Sequence, residues 1–417
     1  MTGWELLGYF VPLYPLYMSF IWTIGGLLFY FRWERTPNPV PSTFPFYSIV
    51  LAAHNEEKCL RQTVENLAHI DYPRYEVIVV NDGSTDGTAQ LLDELVHTCP
   101  WLKVIHLSPN SGKAKAVNTG VLFSKGEIIL VIDADCFVDK DALRQMTWHF
   151  TQYPRVGAVT GNPRIINRTS LLGKIQVGEY SSIIGLIKRS QRLLGKVLTV
   201  SGVMAAYRKT AFCDSGFFDS DTVTEDIDIT WKLQKRMWEV RYEPRALCYI
   251  LSPETIRGLW KQRVRWAQGG VGVMRKHYDV WSEWRQRRFW PVYLEYVAGL
   301  LWALSLGTLV LYWFVTVLLY NFGSAALPPV QPFVPPTWTG SILVLVCLQQ
   351  FTVSLFIDHH YEKKSLFQYY IWIIWYPFFY WLISALAIYA GLYKTITAKG
   401  KVHATWKSPD RGIHTLE

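Results

Sequence analysis

Four long apolar stretches interrupt an otherwise mixed pattern of hydrophobic and polar positions along the chain. They cover residues 9–31, 291–320, 338–357 and 365–393, and they carry almost no charge. A helix needs about 20 apolar residues to cross a bilayer, and tryptophan and tyrosine near the ends of such runs are typical of membrane interfaces. The pattern therefore predicts membrane-spanning helices, with buried core helices as the alternative.

Between the first and second of these runs, short apolar segments alternate with amphipathic ones. The apolar segments predict strands at 46–53, 76–80, 104–107 and 127–132, and the amphipathic ones predict helices at 56–68, 86–98 and 113–124. Strands that alternate with helices favour an α/β fold with a parallel or mixed sheet covered on both faces. In such sheets ligands bind beyond the carboxyl ends of the strands.

The same pattern divides the chain into five parts. They are an N-terminal transmembrane anchor (1–35), a cytosolic α/β domain (36–254), a basic amphipathic segment (255–289), a C-terminal transmembrane region of about three spans (290–393) and a basic tail (394–417). Arg32 and Arg35 directly follow the first run, which places the domain in the cytoplasm. An odd number of later spans would put the tail outside, whereas its lysines favour a cytoplasmic tail. Pro377 leaves a re-entrant hairpin or an extra interfacial segment open.

The net charge of +9 is concentrated in one segment. Residues 255–289 contain nine lysines and arginines against Asp279 and Glu283. Nucleic-acid binding is the first alternative for such a patch. Apolar residues alternate with the charges, however, and an apolar run follows at once, so we expect an amphipathic helix on an anionic membrane surface and no nucleic-acid partner. The six cysteines show no paired spacing, which favours reduced cysteines and no zinc site.

Acidic residues follow two of the predicted strands. Asp82 stands in a turn after the strand at 76–80, and Asp133-Ala134-Asp135 follows the strand at 127–132. Alternation along an extended segment would place Asp133 and Asp135 on one side, where they can share a hard cation such as Mg²⁺ or Mn²⁺. Such a cation stabilises a diphosphate that departs with negative charge. The alternatives are a solvated acidic turn at 133–135 and a helix cap at Asp82.

Further motifs supply a base, a phosphate ligand and an aromatic surface. Glu225 and Asp226 form a second carboxylate site, as expected if one carboxylate takes the proton from an attacking hydroxyl. Lys113 stands at the start of a predicted helix, where a lysine can reach a phosphate. The alternatives are plain helix caps at both places.

The last motif is Gln262-x-x-Arg265-Trp266. Helical spacing puts these three residues on one face. Arginine can bind a diphosphate through two parallel hydrogen bonds, and tryptophan offers a flat surface to a sugar ring. Interfacial anchoring of the helix is the alternative, and it does not exclude the first reading.

In this order the motifs resemble the processive members of glycosyltransferase family 2, a group that includes cellulose, chitin, hyaluronan and poly-N-acetylglucosamine synthases. The similarity runs from about residue 46 to 412. The segments that resemble the poly-N-acetylglucosamine branch in particular are 156–164, 173–188, 242–248, 258–263 and 408–412.

The resemblance implies a GT-A type nucleotide-sugar-binding domain between transmembrane helices of the bacterial inner membrane. It implies UDP-N-acetylglucosamine as donor and a growing β-1,6-linked biofilm polysaccharide as acceptor. It further implies a small accessory membrane subunit, through which cyclic-di-GMP would act. Single sugar addition to a lipid carrier, synthesis of another polymer, and a non-catalytic scaffold are the competing hypotheses.

The resemblance also assigns roles to the residues. Asp226 is implied as the catalytic base, and Asp133 and Asp135 as metal ligands. The remaining catalytic residues implied are Asp135, Gln262, Arg265 and Trp266. The substrate-binding residues implied are Ala53, Glu56, Asp82, Lys113, Asp133 and Glu225.

Overall fold

The structure is a computed structural model that describes residues 3–322, 338–362 and 364–397. Its strands are β1 (Tyr47–Ala53), β2 (Tyr75–Asp82), β3 (Leu102–Leu107), β4 (Ile128–Ile132), β5 (Phe137–Val138), β6 (Val156–Ile165), β7 (Met204–Arg208) and β8 (Glu239–Ile250). Its α-helices in the first half are α1 (Gly3–Phe29), α2 (Glu57–Leu67), α3 (Thr88–Thr98), α4 (Lys113–Phe123), α5 (Ala142–Gln152), α6 (Leu171–Glu179) and α7 (Ile187–Leu193). Those in the second half are α8 (Lys209–Asp214), α9 (Glu225–Lys235), α10 (Ile256–Lys276), α11 (Trp290–Asn321), α12 (Trp338–Asp358), α13 (Tyr370–Ile373) and α14 (Tyr376–Thr397).

The strands form a single mixed sheet in the order β3-β2-β1-β4-β7-β6-β8-β5. The first four strands in this order run parallel to one another. The next strand, β7, lies antiparallel to both of its neighbours, and β8 runs parallel to β6. The predicted α/β fold is therefore confirmed, and each predicted strand coincides with an observed one to within a few residues.

Helices cover both faces of this sheet. In β1, Ile49 and Leu51 belong to one apolar cluster, while Val50 and Ala52 belong to another on the opposite face. Every residue of β1 is buried. A strand buried on both sides carries a continuous apolar run instead of an alternating one, which explains why the sequence pattern identifies it.

The central parallel strands end together at one edge of the sheet. Ala53 pairs with Asn81 across β1 and β2, and Leu51 pairs with Ile132 across β1 and β4. This register brings Asp82 and the residues after Ile132 to the same edge. The polar motifs are gathered here, as expected for an α/β sheet.

The described residues include four helices long and apolar enough to cross a membrane. They are Leu6–Glu34, Trp290–Asn321, Thr339–Tyr361 and Tyr376–Thr397. The predicted run at 365–393 is wrong in its bounds. The helix is interrupted after Ile373, and the membrane-length helix α14 begins at Tyr376 and continues to Thr397. Ile373 instead packs against Gly178 of α6, where a side chain in place of the glycine hydrogen would collide with it.

The basic segment is partly embedded in the protein. The helix α10 packs along α14, and it buries Arg263, Val264 and Val271. Arg263 forms an ion pair of 2.7 Å with Glu179 of α6, and Lys276 pairs with Asp219. Some of the positive charge assigned to a membrane surface is thus neutralised within the protein.

Candidate active site

Lys113 links the two carboxylate motifs. Its Nζ lies 2.6 Å from Asp133 Oδ1 and 2.9 Å from Glu225 Oε1, and it donates to the carbonyl of Gly202 at 3.3 Å. Burial alone would lower the pKa of Lys113, but the charges of Asp133 and Glu225 raise it overall. The structure therefore brings together predicted residues that lie more than a hundred positions apart, around one cation.

The segment Asp133-Ala134-Asp135 is a turn, not an extended strand. The strand β4 ends at Ile132, and the N–H of Cys136 donates to the carbonyl of Asp133 at 3.1 Å. The argument from strand alternation was therefore wrong. Asp133 keeps 25% of its side chain exposed, whereas Asp135 is buried.

Asp82 organises the loop that precedes α4. Its Oδ1 accepts hydrogen bonds from the N–H and the hydroxyl of Ser111, both at 2.9 Å. Its Oδ2 accepts from the N–H of Gly112 at 2.7 Å. The carboxylate is completely buried, so it fixes the start of the helix that carries Lys113. The alternative of a cap on the helix that follows Asp82 is wrong, because α3 begins after Gly87 and both oxygens of Asp82 bind the loop before α4.

Ala53 and Glu56 flank a buried histidine at the same edge. Ala53 ends β1, and the N–H of Glu56 donates to Thr88 Oγ1 at 2.9 Å. Nδ1 of His54 donates to the carbonyl of Asp82 at 2.9 Å, which leaves Nε2 to accept from the Asn110 amide at 3.1 Å. His54 and Asn110 were not among the predicted site residues, because only the fold brings them together.

Asp226 and Glu225 begin α9 in different electrostatic environments. Burial, followed by the charge of Glu225, raises the pKa of Asp226 to about 6. Burial would also raise the pKa of Glu225, but Lys113 and then Arg265 lower it overall. Gly202 leaves room for Asp226, since a Cβ there would lie 3.1 Å from Oδ2. The environments separate the two carboxylates, and Asp226 has the properties of a base that works near neutral pH.

The three predicted site residues of α10, Gln262, Arg265 and Trp266, differ in burial and in the groups that they contact. Gln262 Oε1 is buried, with no hydrogen-bond partner among the described residues. Arg265 is exposed, and its charge acts on both Glu225 and Asp226. The guanidinium carbon of Arg263 lies over the ring of Trp266, 4.4 Å from the ring centroid. One face of Trp266 is thus occupied by Arg263, which was not among the predicted site residues.

A close contact joins the base motif to α10. A Cβ at Gly269 would lie 2.3 Å from Thr224 Cγ2 and 2.4 Å from Thr224 Oγ1. At Gly272, on the same helix, a Cβ would meet nothing within 4 Å. Only a glycine at position 269 allows α10 to approach Thr224 this closely.

We therefore expect Gly269→Ala to lower the transferase activity that the family resemblance implies, by about 10-fold or more, because a misplacement of about 1 Å can cost that much. Gly272→Ala is the matched control and should keep wild-type activity, since alanine is the better helix former. Initial rates of sugar incorporation, normalised to protein in the membrane, measure both. Equal activity of the two variants would contradict the proposed coupling.

The carboxylates of the site could hold a divalent cation only if a bound substrate supplied further oxygen ligands. Among residues 3–322, 338–362 and 364–397, no three histidine, cysteine or acidic side chains converge as a metal site. Asp133 and Asp135 offer hard oxygen donors, and a donor diphosphate would have to supply the others. A metal at these two residues remains a prediction.

Comparison with known proteins identifies the family. The model of glycosyl transferase family 2 matches residues 48–215. A poly-β-1,6-N-acetyl-D-glucosamine synthase of Staphylococcus epidermidis is 38% identical over 411 residues, which cover 97% of this chain and 98% of that protein. A protein of the same name from Staphylococcus aureus strain COL is 40% identical over 412 residues, again 97% and 98% of the two chains.

A solved structure supports the fold. The mannosyltransferase of Pyrobaculum calidifontis, in complex with GDP-mannose and Mn²⁺, superposes with a TM-score of 0.62 at 20% identity and covers 93% of this chain and 98% of its own. At this identity the likeness concerns the fold, which is of the GT-A type. With its candidate membrane-spanning helices and its near full-length similarity to the staphylococcal synthases, this chain belongs to glycosyltransferase family 2.

Proposed function

We propose that this chain is a processive, inverting glycosyltransferase that polymerises N-acetylglucosamine from UDP-N-acetylglucosamine into a β-1,6-linked biofilm polysaccharide. The observation that carries the proposal is the bridge from Asp133 through Lys113 to Glu225, with Asp226 beside it. The bridge joins a phosphate-binding site to a base. The names of the similar proteins supply the sugar and the linkage.

The donor side of the site would hold the nucleotide diphosphate. Lys113 and Arg265 donate to its phosphate oxygens, and this neutralises charge as the bond to the sugar breaks. Mg²⁺ or Mn²⁺, held by Asp133 and Asp135, would add a Lewis acid to the same oxygens. Asp82 takes part by fixing the loop before Lys113, so its contribution is positional.

The acceptor side requires a base near neutral pH. Asp226 removes the proton from the 6-hydroxyl of the terminal sugar while that oxygen attacks the anomeric carbon of the donor. The bond to UDP breaks on the opposite side, so the configuration at the anomeric carbon inverts. Glu225 stays ionised beside Lys113 and raises the pKa of Asp226 by its charge.

Buried polar atoms without protein partners support a path for the product. Among the described residues, Gln176 Oε1, Gln262 Oε1 and Tyr380 Oη have no hydrogen-bond partner. These residues belong to α6, α10 and α14; α10 packs along α14, and Arg263 of α10 forms an ion pair with Glu179 of α6. Buried polar groups are nearly always satisfied, and sugar hydroxyls passing between these helices would satisfy them.

The orientation in the membrane is part of the proposal. We place the α/β domain in the cytoplasm of a bacterial cell and the spans in its inner membrane. The end of α14 lies beside α10, where Thr395 Oγ1 donates to the carbonyl of Gln268 at 3.4 Å. This favours a C-terminal tail on the side of the domain, although residues 398–417 lie outside the described part. An accessory subunit responsive to cyclic-di-GMP rests on the family resemblance alone.

Labelled UDP-N-acetylglucosamine, supplied with Mg²⁺ to membranes that contain the protein and any partner subunit, tests the proposal. We expect a product of high molecular weight that a β-1,6-glucosamine-specific hydrolase degrades, and EDTA should abolish its formation. A single labelled lipid would favour addition to a lipid carrier instead. A polymer that resists the hydrolase would refute the linkage.

A further inference from the structure

Arg263 forms a buried ion pair inside the Gln-x-x-Arg-Trp motif, at a position that the motif leaves unspecified. Its relative exposure is 9%, and that of its partner Glu179 is 3%. Two terminal nitrogens of the guanidinium contact the two carboxylate oxygens, each at 2.7 Å. A planar guanidinium can make this two-pronged contact and an ammonium cannot. Glu179 therefore fixes the plane of the Arg263 guanidinium.

The same guanidinium lies over Trp266. Its carbon is 4.4 Å from the ring centroid, within the range of a cation–π contact. Trp266 stands three residues after Arg263 on α10, so the two side chains are neighbours on one face of the helix. The indole is only partly buried. Because Arg263 covers one face of the ring, a sugar that stacks on Trp266 has to use the opposite face.

The helix that carries Glu179 is joined to the start of α10 at a second point. Gln176, one turn before Glu179, donates to the carbonyl of Pro253 at 2.8 Å, shortly before α10 begins. A side chain at Gly178 would collide with Ile373, so α6 also packs tightly against α13. The carboxylate that holds Arg263 thus belongs to a fixed part of the protein, as the support of a binding group must.

Stability alone does not explain this ion pair. Arg263 Nε and Gln262 Oε1 are both buried and have no hydrogen-bond partner among the described residues, although buried polar groups nearly always have one. Buried ion pairs can often be replaced by apolar residues without loss of stability. The pair therefore has to be explained by what it holds in place, and the group in contact with it is Trp266.

We propose that Arg263, held by Glu179, is a positioning residue that fixes the ring of Trp266 for the terminal sugar of the growing chain. The inference rests on the proposed function and extends it to the orientation of the acceptor. Glu179 fixes the guanidinium, the guanidinium covers one face of the indole, and the acceptor sugar stacks on the other. No bond is made or broken through Arg263.

The test is Arg263→Met, assayed in membranes with UDP-N-acetylglucosamine as donor and a short β-1,6-linked N-acetylglucosamine oligomer as acceptor probe. We expect the KM for the oligomer to rise by about 10-fold, the size of a desolvated cation–π contact. The KM for the donor should stay within about twofold, because the groups proposed to bind the diphosphate are unchanged. An unchanged KM for the oligomer, while the wild type makes polymer, would overturn the inference.

Two further variants separate positioning from charge. Glu179→Gln/Arg263→Met removes both charges, so no buried anion is left unpaired. Arg263→Lys keeps the cation but lacks the planar group that pairs with both oxygens and stacks on the indole. Both variants should yield more folded protein than Arg263→Met while the KM for the oligomer stays raised. Recovery of the wild-type KM in either one would show that only the charge matters, and would overturn the inference.

A double-variant cycle tests whether Arg263 acts through Trp266. Trp266→Ala alone should raise the KM for the oligomer, and adding Arg263→Met should change it by less than about twofold, because effects of residues in contact do not add. Effects that multiply independently would refute this route. Absence of polymer from the wild type would instead refute the proposed function, and this inference with it.

Arg168→Met is the matched control. Arg168 also makes a two-pronged pair, with Glu362 at 2.7 and 3.1 Å, and its guanidinium carbon lies 5.7 Å from the ring centroid of Tyr369. None of these three residues is among the predicted site residues. The variant should keep both KM values, and a rise in its acceptor KM equal to that of Arg263→Met would contradict a role specific to Trp266.

Discussion

Replacing Asp226 with asparagine is expected to lower the rate of sugar transfer by about 10²–10⁴-fold, the usual contribution of a general base. Asparagine is close to aspartate in size but cannot take the proton from the attacking hydroxyl. UDP binding should persist, because Lys113 and Arg265, the groups proposed to bind the phosphates, are unchanged. Single-turnover transfer and binding of UDP to the purified protein measure the two properties separately.

The wild-type enzyme should also show an acid limb in its pH profile. Asp226 must be ionised to act, and its pKa is raised to about 6 by burial and by Glu225. The transfer rate should therefore fall as the pH drops through about 6, where the proton returns to the base. Because Glu225 and Asp226 interact, the apparent pKa of this acid limb belongs to the pair of carboxylates and not to Asp226 alone.

The control for this variant is Asp214→Asn, which changes an exposed carboxylate paired with Arg236. It should keep both the rate and the acid limb. The assignment of the base fails if Asp226→Asn retains transfer within about tenfold of wild type, a loss smaller than a general base supplies. It also fails if a correctly folded Asp226→Asn protein loses UDP binding.

Replacing Arg189 with methionine is expected to destabilise the protein by about 3–5 kcal/mol, the usual cost of breaking a buried ion pair by removing one partner. Arg189 is completely buried and pairs with Glu34 at 2.7 Å and with Asp358 at 2.8 Å. Its removal takes the guanidinium away from Glu34, which keeps only the Tyr361 hydroxyl at 2.6 Å and His360 at 4.0 Å, whereas Asp358 retains Arg164 at 2.7 Å. The midpoint temperature of unfolding in detergent should fall clearly.

The double variant Glu34→Gln/Arg189→Met separates charge from packing. It removes one anion with one cation and leaves the pairs Asp358–Arg164 and Glu362–Arg168 intact. We expect it to be more stable than Arg189→Met alone. Arg236→Met, which breaks an exposed pair with Asp214, should cost less than about 1 kcal/mol. Equal stability of Arg189→Met and Arg236→Met would contradict the importance of the buried network.

This network also shows how the parts of the chain are joined. Glu34 is the last residue of the first candidate membrane helix, Arg189 belongs to α7, and Asp358 ends α12. Together they tie the N-terminal helix and a C-terminal helix to α7. The five predicted parts of the chain are therefore not separate packing units at this place.

Periodicity and local chemistry by themselves determined much of the architecture. Strands such as β1 are buried on both faces, so a continuous apolar run between turn residues identifies them. The membrane helices are equally clear from length and composition, and the motif residues Asp133, Glu225 and Asp226 stand out because acidic residues follow apolar strands or precede a helix. The roles of these residues were implied by the family resemblance and stay predictions.

Only the tertiary structure decided which groups meet. Nothing local in the sequence indicates that Lys113 lies between Asp133 and Glu225, that Gly269 faces Thr224, or that Arg189 is buried with two carboxylates. The structure also decided between alternatives that the sequence left open, since residues 133–135 form a turn and the last apolar run is interrupted just before Tyr376, near Pro377. Contacts between distant residues depend on the packing of whole elements, whereas periodicity records only which side of each element is buried.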